Sequence, residues 1–138
     1  MPDNTRKEET TRWLRYAQDD LASAELLLAS NSAPPRHACL FAQQAAEKAI
    51  KCILVFLEMP VPKTHDLGFL QRCLPNGMRA YLLPENELDN LSFWAVESRY
   101  PGEETEAESR DAEVAIATAH RVLDAVEADL AAAGFVRP

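Results

Sequence analysis

Three groups of side chains in this chain have the types and spacing for chemistry on an anionic ligand. In Thr64-His65-Asp66, a histidine in the first turn of a helix would stand beside free backbone N–H groups, where phosphate oxygens bind readily. An imidazole can also act as general acid or base near neutral pH. In Arg99-Tyr100-Pro101, the guanidinium offers a fork for phosphate and the phenol ring a surface for a base to stack on. Lys48 and Lys51 lie in a compact Gln-Gln-Glu-Lys-Lys cluster on one helix face.

A plainer reading stands beside each group. Thr64 can cap a helix, Asp66 can complement its positive end, and His65 can pack on a neighbour. Arg99 can satisfy the last carbonyls of a helix that Pro101 stops. Lysines on a helix face are usually solvated, and Glu47 to Lys51 is an ordinary i,i+4 pair. His120 reads as surface, and the acidic run 103–108 as a solvated loop leading into a helix. There is no glycine-rich phosphate loop, no HExxH and no GxSxG,. The three histidines are too scattered to suggest a metal cage, so no metal or cofactor is expected.

The elements that must position these residues are helical. Residues 36–58 divide on a helical wheel into a polar side with Arg36, His37, Gln43, Gln44, Glu47, Lys48, Lys51 and Glu58, and a broad apolar side,. So wide an apolar face predicts a central helix touching at least two others. A first helix is expected to start at Thr10 or Thr11, either of which could cap it, and to end at 29–31. The short Ser-Ala-Pro-Pro connection predicts antiparallel packing of the first two helices. Met-Pro-Val-Pro must stop the second. A short helix is expected from Lys63-Thr64 through Cys73, a fourth from Pro84 or Glu85 to Arg99-Tyr100, and a fifth after the acidic run to Gly134,. The expected fold is all-α, an up-and-down bundle of four long helices plus one short, in a single domain over 1–138 with its core at about 10–133.

The chain has 138 residues and a formal net charge of −8, which argues against a protein that coats nucleic acid. Residues 1–35 carry four basic and six acidic side chains, 36–79 six and three, and 80–138 four and thirteen. The middle third therefore predicts a compact positive patch suited to a small anion. No apolar run is long enough to span a bilayer and no signal-peptide core is present, so a cytoplasmic protein is expected. Cys39, Cys52 and Cys73 read as buried free thiols,.

Taken in order, Asp20-Leu21-Ala22-Ser23-Ala24, the string Ala42-Gln43-Gln44-Ala45-Ala46-Glu47-Lys48-Ala49-Ile50-Lys51, then Thr64-His65-Asp66-Leu67 and Arg99-Tyr100-Pro101 resemble a HEPN domain (higher eukaryotes and prokaryotes nucleotide-binding). The resemblance implies a helical bundle, often dimeric, that acts beside a minimal nucleotidyltransferase in a toxin–antitoxin-like pair. Many such proteins are metal-independent RNases. Their arginine, followed after four to six residues by histidine, has no counterpart here, because Tyr-Pro-Gly-Glu-Glu-Thr-Glu follows Arg99. The expected function is a non-catalytic module that binds a nucleotide or nucleotide-bearing partner through Lys48, Lys51, His65, Asp66, Arg99 and Tyr100. The alternative is an RNase using His65 and Arg99. A homodimer is expected because the apolar faces exceed what one four-helix core would normally hide.

Overall fold

In the computed structural model, residues 2–98, 100–101 and 106–137 are described. The helices are α1 Asp3–Ser30, α2 Pro35–Phe56, α3 Leu67–Arg72, α4 Glu85–Ser92, α5 Trp94–Glu97 and α6 Ser109–Ala132, with a 3₁₀ turn at Ala80–Leu82. No strand is present among the described residues. The expected all-α bundle is present, its fourth helical segment broken at Phe93 into α4 and α5.

The bundle is organised around α2, which packs on α1, α3, α4, α5 and α6. Ala38, Cys39, Ala42, Ala45, Ala46, Ala49, Ile50, Cys52, Ile53 and Leu54 are all 0% exposed. The many alanines keep side chains short at the contacts, and helix axes can approach closely where the contact residues are small. Lys48 meets Asp20 and Cys52 donates to the Thr10 carbonyl, so α1 and α2 run antiparallel. Gln18 reaches Glu127 and Glu25 reaches His120, which makes α6 antiparallel to α1 as well. The broad apolar face of α2 is thus covered within one chain.

The ends of the helices follow local chemistry. Asn31 closes α1 in the left-handed region at φ 58°, which asparagine tolerates. Pro35 opens α2 at a position where its missing N–H costs nothing,. Glu108 and Asp111 form a reciprocal capping box at the start of α6,.

Two boundaries differ from expectation. Helix α1 begins at Asp3, not at Thr10 or Thr11. Thr10 is fully buried mid-helix, its hydroxyl turned back to the Arg6 carbonyl at 2.7 Å. The extra turns are anchored where the Arg6 guanidinium lies 4.8 Å from the centre of the Phe56 ring,. The short helix begins at Leu67, with Asp66 as its N-cap accepting from Phe69 N at 3.1 Å. Thr64 accepts from Asp66 N instead. His65 therefore precedes the helix rather than lying in its first turn. Carboxylate and hydroxyl are comparable N-caps, so the motif alone left the register open.

Candidate functional site

Glu47 lies near the middle of α2, one turn before Lys51 and one turn after Gln43. The segment 64–66 crosses over this stripe. Lys51 Nζ donates to Glu47 Oε2 at 2.8 Å, His65 Nδ1 is 2.7 Å from Glu47 Oε1, and Gln43 Nε2 donates to the same oxygen at 3.2 Å. Gln43 also donates to the His65 carbonyl at 3.1 Å and accepts from Gln44 at 2.7 Å. One amide thus holds both the carboxylate and the backbone beside the imidazole.

The side chains of Glu47 and Lys51 are 7% and 10% exposed, while that of His65 is 52% exposed. Burial pushes the Glu47 carboxyl up. Hydrogen bonds from Lys51, His65 and Gln43, with the Lys51 charge, outweigh it and hold the group below the ordinary value of 4.5,. The result is a buried carboxylate with an imidazole fixed at Nδ1 above it. Nε2 is then the ring nitrogen left for a ligand, on a side chain that is half-exposed.

The structure brings together only part of the expected set. Lys51 and His65 meet through Glu47, and Asp66 is adjacent but is engaged as the α3 cap. Lys48 faces α1, where its ammonium lies 2.5 Å from Asp20 Oδ2 and 6.0 Å from the centre of the Tyr16 ring. Tyr100 is exposed, and Arg99 lies outside the described residues. The site is tied to the end of α4, because Leu67 N donates to Ser92 Oγ at 2.9 Å. His120 is a surface residue, paired with Glu25 at 3.1 Å.

The expected positive patch is largely neutralised from within. Lys48 pairs with Asp20, Lys51 with Glu47 and Arg72 with Glu85. Sequence reasoning placed Gln43 and Glu47 on a solvated face and gave them no part in the site. Their signal was the spacing of Gln43, Glu47 and Lys51 at successive i,i+4 steps, which puts three hydrogen-bonding side chains in one row,. Asp20, which claims Lys48 together with Tyr16, stood in the sequence only as part of the family-like string 20–24, with nothing to pair it with Lys48. Among the described residues, no three His, Cys, Asp or Glu side chains gather as a metal site.

These features define an α-helical bundle with a buried acid–base cluster under a loop histidine. Residues 10–129 match the HEPN domain model, and the chain belongs to the HEPN family. It is similar to the crystal structure of TT1696 from Thermus thermophilus, with 26% identity and a TM-score of 0.75 over 88% of this chain and 98% of that one. It is also similar to ST0689, an archaeal HEPN homologue, with 28% identity and a TM-score of 0.63 over 86% and 95%. Comparison with curated proteins yields no match. No helix among the described residues is long and apolar enough to cross a membrane.

Proposed function

We propose that this HEPN chain is a binding module that takes a nucleotide, or a nucleotide-bearing partner, at the edge formed by His65. In this reading it acts as a homodimer with a nucleotidyltransferase in a toxin–antitoxin-like pair, as the family resemblance implies. The observation that carries the proposal is the buried Glu47 holding His65 Nδ1 at 2.7 Å. A carboxylate there fixes the ring orientation and strengthens a hydrogen bond or charge contact offered through Nε2 to a phosphate. Calorimetric titration with a nucleotide panel tests it. His65→Ala should weaken binding by about 1–3 kcal/mol, and His120→Ala should leave it unchanged. Equal affinities for the two variants would reject the site.

The same contact favours one further reading, a metal-independent RNase. His65 would move the 2′-hydroxyl proton and Arg99 would hold the scissile phosphate. Cleavage of RNA in the presence of a chelator, lost in His65→Ala, is its test. Intact RNA with the wild type under those conditions rejects it.

A further inference from the structure

Away from His65, an open groove of about 500 Å³ lies between the α4–α5 break and α6. Its apolar walls are Leu91, Phe93, Trp94, Val114 and Ala115. Phe93 and Trp94 meet edge to face, with ring centres 5.0 Å apart and planes at 78°. Val114 is 54% exposed, Phe93 46%, and Val96, one helical turn beyond Phe93, is 59% exposed. Apolar side chains clustered in this way, rather than scattered singly, mark interaction surfaces.

The charges at the groove indicate what would cover it. Arg121 is taken by Glu87 and Thr118. That leaves Asp89 and Arg110 on the lining, with Asp111, which also caps α6, for a negative balance of one charge. All walls belong to residues 80–138, which carry four basic and thirteen acidic side chains. An apolar floor set in so acidic a stretch is complementary to an amphipathic segment with basic flanks. A groove between helical elements suits a helix laid along it, with apolar side chains spaced at i and i+3 or i+4 as anchors.

We propose that this groove docks a basic amphipathic helix of a partner protein. The proposal rests on the partner-binding part of the reading above but does not use the His65 edge. Nucleotide titration reports on one and peptide binding on the other, so either can fail alone.

The probe is a fluorescently labelled leucine–lysine peptide patterned as an amphipathic helix, followed by anisotropy against the full chain. It should bind saturably. Val114→Asp should weaken it by about tenfold or more. Phe93→Ala provides a second variant, and both are checked for an unchanged melting curve. A glutamate-for-lysine version of the peptide should not bind. Three results would overturn the proposal. One is equal binding of a scrambled peptide of the same composition, which would leave only attraction to a chain of charge −8. Another is unchanged affinity in both variants. The third is dissociation of a dimer of this chain by Val114→Asp, which would make a second copy the occupant.

Discussion

At the scale of single residues, the fold concentrates its charge chemistry in Glu47, Lys51 and His65. Lys51→Met would leave the Glu47 carboxylate buried with only Gln43 and His65 beside it. Removing one partner of a buried pair is costly because the other charge remains. The loss should be about 2–4 kcal/mol, read from urea unfolding at neutral pH. Glu47 also makes stability depend on pH in a defined direction. Its carboxyl is held below 4.5 in the folded chain, so the folded state favours the ionised form more than the unfolded state does. That contribution is fully present above 4.5 and is lost as pH falls through the lower, folded-state value. Glu47→Gln should be less stable at pH 7 and should flatten the acid limb below 4.5; an acid limb of unchanged slope would show that other carboxylates set it. His65 was visible in the sequence as a candidate. Its anchoring was not, because a glutamate and a glutamine on the polar side of a helical wheel look solvated until the position of the 64–66 segment is known.

At the scale of elements, the long helices were legible because period and breakers agree. Asn31, Pro35, Pro60 and Gly134 stand where α1 ends, α2 starts, α2 has stopped and α6 has closed. The break at Phe93 was not legible. It is slight, since Phe93 keeps helical angles of φ −49° and ψ −38° and its N–H still donates to the Asp89 carbonyl at 3.2 Å. The connection before α4 was equally hidden. Asp129 on α6 accepts from Arg79 N at 2.8 Å and Ala80 N at 2.9 Å. Gln71 shares its two amide protons among the carbonyls of Ala80, Tyr81 and Leu83. A buried aspartate near the end of a helix reads as one more acidic surface residue until its partners are placed. Asp129→Ala should expose two unmet backbone donors and cost about 2–3 kcal/mol in chemical unfolding. Asp129→Asn should cost less, because one acceptor remains.

The thiols report on the same packing. Burial pushes Cys39 and Cys52 up to about 12 from 9.0. Raised values mean that the folded state prefers the neutral thiol, so stability is present below 9.0 and falls as pH rises from there towards 12. Cys73 is half-buried. In the native chain at about pH 8, a thiol reagent should label Cys73 first, with Cys39 and Cys52 reacting only on unfolding. Three thiols labelled at one rate in the native protein would contradict the buried positions.

At the scale of the whole molecule, charge arrangement decides what kind of anion can be held. Of the three segments of the chain, only the middle one is net basic. Folding consumes much of that advantage, because Lys48, Lys51 and Arg72 each meet a carboxylate from elsewhere in the chain or a neighbouring turn. What remains is an acidic molecule with a local imidazole edge rather than a broad positive surface. In the proposed reading, such a molecule would hold one phosphate group by hydrogen bonding at close range. It cannot release many counterions from a duplex, the term that drives non-specific nucleic-acid binding. A bound mononucleotide should therefore resist competition by duplex DNA at about 0.1 M salt, where charges beyond roughly 10 Å are screened. The check is displacement of a fluorescent nucleotide by duplex over a salt series. Effective displacement, falling with salt as steeply as for proteins making about six to ten phosphate contacts, would mean that the basic side chains leave their internal partners to meet the duplex. The neutralised charge map would then not be the state that binds.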